Sequence, residues 1–177
     1  MSDEKIPVSM EALFEQKAPQ QMISEATAFR TVPKGRYVLR ATKYEATEDN
    51  KVPGRTNINF SVDICGDDGS RKAKAFIRVS PQEGRSAKGY LDQKSKLYGQ
   101  LVKALFPTGT DVSAGELVQT FMQQPVKGFV ALQYKAPQND PITGYGIYVD
   151  PKTEEEETEC RQKGYVPGNV VRSVQKL

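Results

Sequence analysis

The segment RKAKAFIRVS, residues 71–80, places cations and an aromatic ring on one side of a predicted β-strand. Successive side chains of a strand point to opposite faces, so one face holds only small or apolar residues. The opposite face holds Lys72, Lys74, Phe76 and Arg78. Cationic groups bind phosphates and aromatic rings stack on bases, so this face has the chemistry of a site for single-stranded nucleic acid. Burial of Phe76 beneath a flank of the chain is the competing interpretation.

Two more strands and two loops are expected to extend this surface. The segment TNINFSVDIC, residues 56–65, alternates apolar with polar side chains, and the hairpin turn GDDGS joins it to the cationic strand. A first strand lies in PKGRYVLRATKYEA, and the loops after the first and third strands carry further cations. The full set of candidate DNA-binding residues is Arg36, Arg40, Tyr44, Arg55, Asn57, Asn59, Lys72, Lys74, Phe76, Arg78, Arg85 and Lys88.

The positive charge is concentrated in one part of the chain. Residues 30–110 contain 16 Lys and Arg against 8 Asp and Glu, a local charge of +8, whereas the whole chain carries +3. Localised positive charge indicates a polyanionic partner more strongly than a diffuse excess does. An ordinary solvated surface is the alternative.

The composition argues against catalysis. The chain has no histidine, so the commonest general base and metal ligand is missing, and Ser-His-Asp or Cys-His arrangements cannot be assembled within it. Cys65 and Cys160 stand at no motif spacing. The segment GRSAKG lacks the ending of a phosphate-binding loop. We therefore expect a non-enzymatic protein without a metal or other cofactor.

The hydrophobic pattern predicts three strands, then helices, then two strands. The helices are expected at about Tyr90–Phe106 and Ala114–Gln123, and the last strands at Val126–Tyr134 and Gly144–Asp150. A short helical signal also runs from Ser9 to about Lys17.

This order of elements predicts a mainly β, α+β protein. We expect a five-stranded OB-like barrel with helices between strands 3 and 4, in which strands 2 and 3 form the binding surface. A plain α+β sandwich is the alternative architecture. The expected organisation is an irregular N-terminal flank (1–32), an OB-like nucleic-acid-binding domain (33–150) and an irregular C-terminal tail (151–177).

Several soft motifs lie between residues 30 and 150. They are PKGRYVLRATKYEAT, NINFSVDI, the helix KLYGQLVKALF, and DVSAGELV shortly before PVKGFVALQY. In these motifs the chain resembles a phage-encoded family of small single-stranded-DNA-binding proteins, which implies an OB-fold and a place beside phage recombination or replication functions. One departure is that the acidic run Glu154–Glu157 is internal and the chain ends RSVQKL, whereas many such proteins end in an acidic tip.

These observations together predict a sequence-independent single-stranded-DNA-binding protein of phage replication or recombination. Expected partners are a phage recombinase, helicase or polymerase and further copies of the chain. The chain has no apolar run of membrane-spanning length and no signal peptide, so we expect it in the cytoplasm of the infected bacterium, not secreted and without a membrane partner. The alternatives are a virion structural or assembly protein and an inhibitor of a host enzyme.

Overall fold

The structure is a computed structural model that describes residues 31–109 and 111–177. The helix expected at Ser9–Lys17 and most of the N-terminal flank lie outside the described residues. The strands are β1 (Gly35–Glu48), β2 (Thr56–Cys65), β3 (Arg71–Val79), β4 (Val126–Lys135), β5 (Tyr148–Val149) and β6 (Val166–Gln175). The helices are α1 (Gln93–Leu105), α2 (Ala114–Gln123) and α3 (Glu154–Gln162). Within the described ranges, no helix is long and apolar enough to cross a bilayer.

The six strands form one antiparallel sheet. Strands β3, β2, β1 and β4 are neighbours in that order. Strand β6 pairs along the full length of β4, and β5 pairs with the last two residues of β4. The expected α+β class is confirmed as a mainly antiparallel sheet with helices between its third and fourth strands, but the sheet is not closed into a barrel.

The core lies between one face of the sheet and the first two helices. Every second residue of β2 is buried, as its alternation predicts. Phe60 of β2 packs edge-on against Phe121 of α2, with ring centroids 4.8 Å apart. Helix α2 has the predicted bounds and begins where the Ser113 hydroxyl accepts a hydrogen bond from the Glu116 N–H. Helix α1 begins three residues later than predicted, because Asp92 caps it by accepting from the Ser95 N–H.

The prediction of an irregular C-terminal tail was wrong. Thr153 caps α3, and the acidic run fills the first turn of that helix, where carboxylates stabilise the helix dipole. Strand β6 then completes the outer edge of β4, so the tail belongs to the sheet. The expected strand over 144–150 shrinks to β5, because Asp140 accepts backbone hydrogen bonds from Ile142 and Thr143 and holds this part of the chain in a turn.

Candidate nucleic-acid interface

The outward face of β3 follows the pattern of its sequence. Its small apolar residues are buried, and the alternating cations and ring are exposed. Phe76 is 75% exposed, and it is the only exposed phenylalanine among residues 31–109 and 111–177. The described part of the chain therefore leaves this ring open to solvent.

Neighbouring strands surround Phe76 with polar and cationic side chains. Ser61 of β2 stands directly opposite Phe76, and Lys43 of β1 stands opposite Ser61. Directly opposed residues have Cβ atoms about 5 Å apart, so this row spans on the order of 10 Å. The adjacent rows are Arg40–Asp63–Lys74 and Glu45–Asn59–Arg78. We call the surface made by Arg40, Lys43, Asn59, Ser61, Asp63, Lys74, Phe76 and Arg78 the basic face.

A hydrogen-bond chain orients the arginine of this face. The Arg78 Nε–H donates to the Asn59 Oδ1 atom at 2.7 Å, and the Asn59 amide donates to the Thr47 hydroxyl at 3.4 Å. Because only Nε is engaged in this bond, the terminal nitrogens of Arg78 can bind an anion in two-point fashion. Asn59 therefore contributes by positioning Arg78.

The other cations of the basic face have no carboxylate partner in the described ranges. No salt bridge there involves Arg40, Lys43 or Lys74. No carboxylate of residues 31–109 or 111–177 neutralises their charge by direct contact. This is the electrostatic property that phosphate binding requires.

Arg36 extends the cationic surface towards β4. It stands opposite Phe129, and its guanidinium carbon lies 5.8 Å from the centroid of that ring. Its Nη1 also donates to the Gln175 side chain of β6 at 3.1 Å. Arg36 is exposed but held by two neighbouring strands.

The structure corrects the position of Tyr44. The register of β1 shifts between Ala41 and Lys43, which marks a β-bulge. Because of the bulge, Lys43 takes the outward place and Tyr44 stands opposite the buried Phe60 on the core side. Tyr44 is still 52% exposed, but it borders a groove beside α2 and does not lie on the basic face.

The prediction that Arg55 lies on the rim of the binding surface is also wrong, because this residue is buried. It is 6% exposed, and its guanidinium donates to both carboxylate oxygens of Asp92, at 2.7 and 3.0 Å. Its Nε–H donates to the Ser80 hydroxyl at 3.0 Å, and its Nη2 to the Ser95 hydroxyl at 3.1 Å. These bonds occupy all three nitrogens, so Arg55 fastens the loop before β2 to the segment after β3 and to α1.

The charges around Arg55 stabilise one another. The Arg55 hydrogen bond lowers the pKa of Asp92 to about 2, and Asp92 in turn raises the pKa of Arg55. Asp49 lies 3.9 Å from the Arg55 guanidinium and accepts a hydrogen bond from Lys94 at 2.7 Å. That bond and a second one from the Lys51 N–H lower the pKa of Asp49. We call Arg55, Asp49, Asp92 and Lys94 the buried ion cluster.

Asn57 is likewise hidden, contrary to the prediction that it faces a ligand. It is 6% exposed, and its Oδ1 atom has no hydrogen-bond partner. It lies two residues after Arg55, where the segment following β3 packs over the start of β2 and Gln82 accepts from the Thr56 N–H. Asn57 is therefore not displayed beside Asn59.

Arg85 and Lys88 lie on a small exposed hairpin between β3 and α1. A β-bridge joins Arg85 to Leu91, and the Ser86 N–H donates to the Tyr90 carbonyl. Arg85 is paired with Glu83 at 2.9 Å, whereas no salt bridge in the described ranges involves Lys88. Tyr90 is 69% exposed on this hairpin. The hydrophobic pattern predicted Tyr90 as the start of α1, although a tyrosine within a basic loop also has the chemistry of a stacking residue.

Lys72 differs from the other cations of β3. A register shift at the end of β2 leaves it without a directly opposite partner. Its aliphatic chain lies over Gly66, where a Cβ atom would come within 2.8 Å of the Lys72 Cε. Hydrogen bonds from Ser70 lower the pKa of Asp68 in the same turn, and the charge of Lys72 adds to that effect. Lys72 thus covers the hairpin turn at one end of the sheet.

The sequence did not predict a contact between two loops. The Lys51 ammonium, in the loop between β1 and β2, lies 4.5 Å from the Tyr145 ring centroid, in the loop before β5. Tyr145 is exposed. A cation above an aromatic face is attracted by the ring quadrupole, so this contact fixes the two loops together. No spacing rule links residues so far apart in the chain.

The described ranges contain no group of three or more His, Cys, Asp or Glu side chains arranged to hold a metal ion. A surface cleft of about 780 Å³ beside α3 holds mixed charges, among them the Arg172–Asp150 pair at 2.6 Å. Within residues 31–109 and 111–177, the basic face combines an exposed ring with cations that form no salt bridge. No protein-family model, curated protein or solved structure matches the chain.

Proposed function

We propose that this protein binds single-stranded DNA largely independently of sequence and serves phage DNA replication or recombination without being an enzyme. The observation that carries the proposal is Phe76, 75% exposed between Lys74 and Arg78 on the basic face. An exposed ring among cations that form no salt bridge in the described part of the chain offers bases a stacking surface and phosphates a counter-charge. Duplex DNA keeps its bases stacked inside the helix, so the ring favours single strands.

The order of the strands supports an OB-like architecture for this proposal. In OB-folds the second and third strands carry the nucleic-acid surface, and the basic face is centred on β2 and β3. Strands β3 and β6, at opposite ends of the sheet order, come within 8 Å of each other at Cα without pairing. This approach is what a partly open barrel requires.

The proposed binding mode divides the work between two kinds of side chain. Arg40, Lys43, Lys74 and Arg78 contact phosphates and displace counterions, while Phe76 stacks on one base. For single strands, each neutralised phosphate contributes about −0.7 to the slope of log K against log salt, so four contacts give a slope of about −3. The protein would present or protect strands for a phage recombinase, helicase or polymerase.

Fluorescence anisotropy with a labelled single-stranded oligonucleotide at several salt concentrations tests the proposal. We expect binding at low salt, a steep loss of affinity with added salt, and weaker binding of a duplex of the same sequence. Absence of binding at low salt would refute the proposed function. Equal affinity for single-stranded and duplex DNA would show that Phe76 does not stack on bases.

A further inference from the structure

One carboxylate lies in the middle of the basic face. Asp63 of β2 stands opposite Arg40 on one side and Lys74 on the other. It is two residues along the strand from Ser61, the residue opposite Phe76, so Asp63 and Phe76 are diagonal neighbours. Such diagonal neighbours lie about 7–8 Å apart, within reach of an aromatic side chain. A base stacked on Phe76 therefore has one edge near Asp63.

Asp63 is not used as a structural ion-pair partner. The carboxylates of the buried ion cluster each accept short hydrogen bonds from a cation. In contrast, no salt bridge within the described ranges involves Asp63, although two cations stand opposite it. The residue is half-buried, and its Oδ1 atom is buried without a hydrogen-bond partner. A ligand therefore cannot reach Oδ1 directly, and the acceptor available to it is the other carboxylate oxygen, Oδ2, which accepts no hydrogen bond within the described ranges.

A negative charge at this position opposes phosphate binding. It lowers the positive potential of the face, so its presence reduces affinity for any polyanion. A group that weakens general binding can still improve discrimination between ligands, because specificity is a difference of affinities. An aspartate carboxylate favours the hydrogen-bond donors of single-stranded DNA, which are found on the bases and not on the phosphates.

We propose that Asp63 accepts a hydrogen bond from the exocyclic amino group of the base stacked on Phe76, so that the protein prefers cytosine to uracil or thymine. This inference rests on the proposed function. A carboxylate has only acceptors, which match the N4 amino group of cytosine. Uracil and thymine present a carbonyl oxygen at the same position, and two acceptors repel. Both pyrimidines offer the ring a similar face, so the stacking contribution is nearly the same for each.

The test compares oligo-dC with oligo-dU of equal length, because these bases differ at the exocyclic group without the methyl of thymine. We expect the wild-type protein to bind oligo-dC roughly tenfold more tightly, the effect of one hydrogen bond to a charged group. The Asp63→Asn variant keeps the shape but gains an amide donor. It should bind oligo-dU more tightly than the wild type does, and its preference for oligo-dC should fall to near unity or reverse.

Glu45→Gln is the matched control. Glu45 stands opposite Asn59 on β1, one row from Ser61, so this change removes the same charge from the neighbouring row. It should raise the affinity for both oligonucleotides equally and leave their ratio unchanged. Circular dichroism and thermal unfolding should show both variants folded.

The outcomes separate the two proposals. If the protein binds neither oligonucleotide at low salt, the proposed function itself fails. If the wild-type protein binds both equally well, Asp63 does not recognise the amino group, whatever the variant does. If Asp63→Asn strengthens both equally, as Glu45→Gln should, Asp63 acts only through its charge and the inference is overturned.

Discussion

Arg55 and Arg78 show two opposite uses of an arginine within one sheet. Arg55, just before β2, is buried and donates to both oxygens of Asp92. Arg78, on β3 across from Asn59, is exposed and hydrogen-bonded to a neutral amide. The nearby carboxylates make the difference: charge that is matched inside the protein contributes to the fold, whereas unmatched charge on the surface is available to a ligand.

The physical cost of each arrangement follows from solvation. A buried guanidinium loses its water, so it must be compensated by partners at short distance. An exposed guanidinium keeps its water and contributes little to stability. Substitutions in the buried ion cluster should therefore affect folding, and substitutions in the basic face should affect binding.

Replacement of the two arginines tests this contrast most strongly. Arg55→Ala should destabilise the protein by about 3 kcal/mol, because it breaks a buried hydrogen-bond network and takes a counter-charge from the buried Asp49 and the partly exposed Asp92. Arg78→Ala should change stability by less than about 0.5 kcal/mol, since the site is exposed. Urea unfolding of both variants measures the difference. Similar losses for the two would show that the cluster does not stabilise the fold as the geometry indicates.

Acid should weaken the protein through the buried ion cluster. The pKa of Asp92 is about 2 in the folded protein against an ordinary value of 3.8, so the unfolded chain binds a proton first. The free energy of unfolding that the Asp92–Arg55 pair contributes is present above about pH 4. It is lost as the pH falls towards 2 and Asp92 becomes protonated. The lowered pKa of Asp49 extends the loss to lower pH.

Urea unfolding over a pH series measures this effect. Asp92→Asn should be less stable at neutral pH, because it removes the charge paired with Arg55, and its stability should depend less on pH between 4 and 2. A wild-type protein whose stability stays constant over that range would contradict the assignment.

Loss of the ring should weaken binding without weakening the fold. Phe76→Ala should reduce affinity for single-stranded DNA by about 1–3 kcal/mol, the contribution of one stacked base. The slope of affinity against salt should stay the same, because no phosphate contact is lost. Phe76→Trp keeps a stacking surface and should retain binding. Unchanged affinity in the Phe76→Ala variant would show that Phe76 does not contact the DNA.

The smallest expected effect is on the salt dependence of binding, and it should differ between Lys74 and Arg85, which is paired with Glu83. Lys74→Ala should make the salt slope shallower by about 0.7, the value for one phosphate on a single strand. Arg85→Ala should change the slope less, because Arg85 already pairs with Glu83. Titrations across a salt series compare the two variants. A larger change in salt slope for Arg85→Ala than for Lys74→Ala would show that the DNA binds at the hairpin and not at the basic face.

Local patterns explain which features the sequence could predict. The alternation in β2 and β3 reflects side-chain period within a single strand, and the Ser113 cap of α2 acts over three residues. Both features depend only on residues close together in the sequence, so they can be predicted without knowing which distant segments pack together. Whether a flank covers Phe76 was open from the sequence. The C-terminal tail pairs with β4 as β6 and leaves the ring exposed, whereas residues 1–30 lie outside the described part of the chain.

The errors came from non-local features. One extra residue in β1 turns Tyr44 away from the basic face, and alternation alone carries no sign of where a bulge falls. Arg55 is buried because Asp92, 37 residues later, folds back onto it. The segment of β6 shows only weak strand character in the sequence, because its start contains Pro167 and Gly168, which lower strand propensity. Its pairing with β4 outweighs that deficit.

The bonds of Arg55 also fix the base of the hairpin that carries Arg85, Lys88 and Tyr90. Arg55 donates to the Gln82 carbonyl at 3.3 Å on one side and to Asp92 on the other, so the intervening segment is tied at both ends. Its conformational entropy is therefore lost when the chain folds and not when a ligand arrives. A ligand that reached this hairpin would therefore require little further ordering of the protein.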